Sequence, residues 1–175
     1  MTPRESEQAG SVTDFLMEDH RRLETLLQQA VAHADQIDQG AYDQFRAGLL
    51  RHIGMEEKIL LPAAQRFRGG EPLPIAAKLR LDHGAIASLL MPPPSAAVIA
   101  TIFAVLKVHN TIEEGPGGLY ETCDKLAGSE SAQLLAKLQA APELAVLPCS
   151  DSPAVMPAVQ RALERAGYTF REDKV

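Results

Sequence analysis

Residues 51–62 read RHIGMEEKILLP. Walking back from them, Phe45 and Leu49 precede His52 and Glu56 at helical spacing, so an apolar stripe runs directly into an imidazole and a carboxylate. One turn apart, His52 and Glu56 stack on the same face. Tyr42, Ile53, Leu60 and Leu61 complete a helix that begins after the break at Gln39-Gly40. Pro62 is expected to kink or end it, because proline lacks the N–H that the helix ladder needs and its ring crowds the preceding turn; a short helical piece continues to Phe67.

Working outward, the same period recurs. Val12, Phe15, Leu16, Leu23, Leu26, Leu27, Ala30, Val31 and Ile37 predict a first helix over roughly residues 12–38, with Ser11 or Thr13 as N-cap. Ile75, Leu79, Ile86, Leu89 and Leu90 mark a third helix between the Gly69-Gly70 turn and the proline run Pro92-Pro93-Pro94. A fourth starts at Ser95 and runs through AAVIATIFAVLKVHNTIEE until Gly115-Pro116-Gly117-Gly118 interrupts it before LYETCDKL. Beyond Gly128, SESAQLLAKLQA and AVMPAVQRALERAGY predict two shorter helices. No segment reads as a β-strand. The expected fold is all-α: an antiparallel four-helix bundle over residues 11–128, followed by a short C-terminal helical extension over residues 129–175.

Composition narrows the partners. With 175 residues, 46% of them hydrophobic, the chain can bury one core and carry a modest extension. Its formal charge of −6 repels phosphate polymers, and no basic cluster stands out, which argues against nucleic acid. The polar start MTPRESEQAGSVTD lacks the apolar core of a secretory signal, and no apolar run is long enough to suggest a membrane span. A cytoplasmic protein is expected. Cys123 and Cys149 suit reduced thiols better than a disulfide framework.

The histidines decide the chemistry. His20 falls in the series Leu16, His20, Leu23, Leu27; His83 in Leu79, His83, Ile86, Leu90; His109 in Ile102, Val105, His109, Glu113. With His52, each bundle helix supplies one inward imidazole. His33 is the control, since 13 residues at about 100° each place it roughly 140° from the face of His20. His109 and Glu113 repeat the spacing of His52 and Glu56, so the chain reads as two hairpins, each ending in a His-x-x-x-Glu helix. Helical phase favours Glu113 over its neighbour Glu114, at about 40° against about 140° from His109. Glu57 beside Glu56 reads as a solvated or supporting acid, and Glu24, one turn beyond His20, as a surface residue.

Four imidazoles and two carboxylates on apolar stripes carry a penalty of several kcal/mol per uncompensated charge, which a bound cation relieves. Imidazole and carboxylate without thiolate suit iron, with manganese and zinc as the alternatives. The stretches MEDHRRLETLL, RHIGMEEKILLP and KVHNTIEE resemble the hemerythrins and their bacterial relatives with a His-His-Glu cation-binding domain, over residues 12–127. That resemblance implies an up-down-up-down bundle and two non-haem irons, His20 and His52 on one, His83 and His109 on the other, bridged by Glu56 and Glu113. It departs from the oxygen carriers at Leu79, where those have a further histidine. The function it implies is a di-iron protein that reacts with or senses O₂, NO, peroxide or iron, with a small diatomic molecule as partner, rather than a dedicated enzyme. The alternative is a metal-stabilised regulatory or interaction module without redox activity.

Overall fold

The structure, a computed structural model, describes residues 10–33 and 36–172. Among them the helices are α1 (Val12–Ala30), α2 (Gln39–Met55), α3 (Leu61–Phe67), α4 (Ala76–Leu89), α5 (Ala96–Glu114), α6 (Leu119–Ala127), α7 (Ser131–Gln139) and α8 (Val155–Ala166), with no strand beyond one isolated bridge between His33 and Gln36. Ser11 caps α1 with a reciprocal box: its hydroxyl accepts from the Asp14 amide, and the Asp14 carboxylate accepts from the Ser11 amide. Ser95 caps α5 in the simpler way, accepting from the Val98 amide.

Two expectations need correction. The first helix stops at Ala30, well short of residue 38, because the Asp38 N–H closes on the Ala30 carbonyl at 2.9 Å while the Asp38 side chain caps α2. Gln39-Gly40, read as a break, therefore forms the first turn of α2. Pro62, expected to kink or end the second helix, does not stop the helical run but follows a change in its winding. Residues Glu56–Leu60 form a π-helical turn in which the Leu61 N–H reaches back to the Glu56 carbonyl, and this wider loop absorbs the missing donor of Pro62 at the start of α3. The short continuation to Phe67 is present.

The four long helices run up, down, up and down, as the core shows. A lower apolar cluster takes Val12 and Leu16 of α1, Met55 of α2 and Ala76 and Leu79 of α4. An upper cluster takes Leu23 and Leu27, then Phe45 and Leu49, then Ile86 and Leu89, then Ile102 and Val105 of α5. Each helix crosses from one cluster to the other at its histidine. The chain beyond α5 divides between the ends: α6 and α7 join the lower cluster through Leu119, Tyr120, Cys123, Leu134 and Leu138, and α8 joins the upper one through Val155, Val159 and Leu163. Buried Arg46 of α2 fastens the intervening segment by donating to the carbonyls of Leu90 and Leu147.

Candidate metal centre

Between the two clusters lies a largely buried polar layer. His20, His52, His83, His109, Glu56 and Glu113 are all buried, both glutamates completely. One donor atom from each of His20, His52, Glu56 and Glu113 lies within 4.8 Å of the others, and the same holds for Glu56, His83, His109 and Glu113. The six expected residues thus meet in two adjacent groups that share both carboxylates. His33, the control, is exposed and far from them in the turn after α1.

Every histidine points Nε2 inward and holds a carboxylate with Nδ1. His52 meets Asp19 at 2.8 Å, His83 meets Glu57 at 2.6 Å, His109 meets Asp82 at 3.2 Å and His20 meets Glu114 at 2.5 Å. The pattern is cyclic: α1 supports the histidine of α2, the π turn after α2 that of α4, α4 that of α5, and α5 that of α1. Such carboxylate contacts fix ring orientation and present the opposite nitrogen as a lone pair, as ligand histidines require. Glu57 is therefore a supporting acid, and Glu114 supports His20 while Glu113 enters the centre. Glu24 makes no contact with a histidine; its carboxylate accepts from Gln28 on the surface.

Sequence reasoning missed Asp19, Asp82 and Tyr120. A signal existed for the aspartates, since both precede a histidine in Asp-His pairs while both glutamates of each His-x-x-x-Glu-Glu run are used. The chain repeats Asp-His, then His-x-x-x-Glu-Glu, twice over. Nothing local announced Tyr120. Its position follows from the Gly115–Gly118 turn, where a Cβ on Gly118 would sit 2.6 Å from the Glu113 and Ile112 carbonyls; only glycine lets the chain fold back tightly enough to bring α6 under the centre.

The electrostatics favour a cation. Six carboxylates surround four imidazoles, with Arg22, Arg80 and Lys78 pairing only the outer ones, Asp19, Glu57 and Asp82. Burial pulls the His52 ring down, but the Glu56 charge and the Asp19 hydrogen bond outweigh it and push it up to about 10. Burial opposes the same rise at His83, carried to about 11 by Glu113, Glu56 and Glu57, and at His109, carried to about 9 by Asp82 and Glu113. Glu56 sits well below the usual carboxylate range: burial works against this, and His52 and His83 prevail. The metal-free centre therefore gathers protons where a metal would supply positive charge.

Three inward atoms lack hydrogen-bond partners: Glu56 Oε2, Glu113 Oε1 and His83 Nε2. His83 Nε2 approaches the two carboxylates at 3.0 and 3.6 Å without aligning to either. Orphaned buried polar atoms cost about 1–3 kcal/mol each, and three aimed at one point are the mark of a coordination site rather than of a hydrogen-bonded core. The residues fit a binuclear metal.

The Hemerythrin HHE cation binding domain model matches residues 11–91. Those residues belong to the hemerythrin HHE cation-binding family. Comparison with curated proteins and with solved structures gave no significant match. The match takes in His20, His52, Glu56 and His83, while His109 and Glu113 lie beyond it; for those two, tertiary geometry alone supplies the link to the HHE set.

Proposed function

We propose that this HHE protein holds two iron ions, His20 and His52 on one, His83 and His109 on the other, with Glu56 and Glu113 bridging, and that the pair reacts with or senses O₂ or a related small molecule. The observation that carries the reading is the sharing of both buried glutamates by two histidine pairs, each glutamate offering one oxygen to each group. Bridging carboxylates hold two metals close enough to act on one small ligand, and a donor set of imidazole and carboxylate without thiolate suits iron. When bound, such a pair supplies redox equivalents and an open coordination position.

The residues of the chain then have separate tasks. The four outer carboxylates keep the Nδ1 protons and turn Nε2 inward. The two apolar clusters above and below exclude bulk water. Leu79, fully buried where the oxygen carriers have a histidine, offers no donor to the His83 and His109 side. A cleft of about 460 Å³ between α1 and α5, lined by Leu23, Leu27, Leu49, Phe103 and Leu106 together with Arg21, Glu24, Lys107 and Asn110, opens onto His20 and Glu114.

Anaerobic loading with ferrous iron, metal analysis, and optical spectra before and after O₂ test the proposal. About two irons per chain and a ligand-to-metal absorption that grows with O₂ are expected. Preferential, tight zinc binding with no response to O₂ would replace it by a metal-stabilised regulatory module.

A further inference from the structure

Tyr120 lies at the centre of one metal group and touches every member of it. Its hydroxyl is 3.0 Å from His20 Nε2, 3.2 Å from His52 Nε2, 2.7 Å from Glu56 Oε1 and 3.2 Å from Glu113 Oε2. The residue is fully buried in the lower cluster, held by α6 rather than by any of the four bundle helices. These four contacts are more than one hydroxyl can satisfy, since it donates once, to Glu56 or to Glu113, and accepts at most twice.

Coordination geometry explains the set. Around a metal with bonds of about 2.1 Å, neighbouring donor atoms at right angles stand √2 times farther apart, roughly 3.0 Å. An atom with four such neighbours is the apex of a square pyramid whose base they form. The measured 2.7–3.2 Å matches that arrangement for all four atoms. The other group has no counterpart: its Glu56 Oε2, Glu113 Oε1 and His83 Nε2 find no hydroxyl at all.

We infer that Tyr120 is a fifth protein ligand, binding as phenolate to the metal of His20 and His52. The O–metal bond takes the place of the O–H bond and the proton leaves to solvent, as metals commonly deprotonate a coordinating acid. One metal then has five protein donors and the other four, so an exogenous ligand binds at the His83 and His109 side. This rests on the binuclear reading proposed above.

The test uses the full chain loaded with iron and oxidised, wild type beside Tyr120→Phe, with metal content, visible absorption and resonance Raman spectra recorded on each. A ferric phenolate absorbs in the visible and enhances tyrosine ring vibrations. The expected result is that wild type shows both signals and Y120F loses them while keeping two irons and its helical circular dichroism. Two irons in wild type without phenolate vibrations, or the same vibrations surviving in Y120F, would overturn the ligand assignment while leaving the di-iron reading intact. Fewer than two metals in wild type would overturn that reading, and the ligand with it.

Discussion

Around His20 and His52 the inward polar atoms meet the Tyr120 hydroxyl, whereas around His83 and His109 three inward atoms have no hydrogen-bond partner. The supports differ as well. Asp19, which holds His52, is paired at 2.8 Å with Arg22 on its own helix. Asp82, which holds His109, is paired with Lys78, and Lys78 in turn donates to the Ala166 carbonyl at the end of α8 and lies over the Tyr168 ring. A repeated set of donors has thus been placed in unequal surroundings, one half closed by α6 and the other braced by the C-terminal extension. The lesson is that a pseudo-symmetric motif need not give two equivalent donor groups; elements outside the motif decide which half gains a further polar contact and which does not.

The largest effect should come from removing what both halves share. Glu56→Ala is expected to abolish binding of both metals and to lower Tm by roughly 10 °C, as loss of a buried charged partner costs about 3–5 kcal/mol. His52→Ala should cost mainly the first metal, and His33→Ala neither metal nor stability. Metal analysis with thermal melts checks all three, and an iron-depleting His33→Ala would refute the assignment of faces. Next comes Glu113→Gln, expected to lose the pair, against Glu114→Gln, which removes only the support of His20 and should weaken the first metal about 10- to 100-fold. Equal losses in the two variants would mean that Glu114 is a ligand.

pH sharpens the comparison further. In the metal-free chain His52, His83 and His109 titrate at about 10, 11 and 9, above the ordinary 6.5, because neighbouring carboxylates outweigh burial. Groups with raised values stabilise the fold fully below 6.5 and lose that contribution as pH climbs through 9–11. Metal must displace those protons, so its affinity rises with pH. The Tm gain on adding metal should be larger at pH 8 than at pH 6, with acid released on loading in weakly buffered solution; a gain that shrinks with pH would contradict it. The smallest effect belongs to Lys78→Met, which cuts the link from α8 to Asp82. Stepwise metal titration should show the second metal weakened by less than about tenfold and the first unchanged. Equal weakening of both would mean the halves are not separately braced.

Much of this was legible in the chain itself. The positions of His20, His52, His83 and His109 on their stripes follow from the helical period, which also favours Glu113 over Glu114 without fixing that choice. The end of α1 was not legible, because Val31 and Ile37 prolong the apolar pattern while a hydrogen bond from Asp38 to the Ala30 carbonyl ends the helix. Nor was the π turn at Glu56–Leu60, since proline reads as a kink or an end without saying that the ladder widens by one residue ahead of it. Asp19 and Asp82 were hidden for a different reason: each supports a histidine on another helix, 33 and 27 residues away, and periodicity within one helix carries no record of such a contact.

By itself, then, the sequence determined which segments are helical, the face each bundle helix turns inward and six candidate metal-binding residues, since these depend on spacing along a single helix. Tertiary structure brought the six into the two groups sharing both glutamates that the family resemblance implied, and it alone decided that four carboxylates close a ring around the histidines and that the Tyr120 hydroxyl contacts one histidine pair only. Those are distances between helices, set by how side chains of the two apolar clusters interlock and by a glycine turn that folds α6 beneath the bundle.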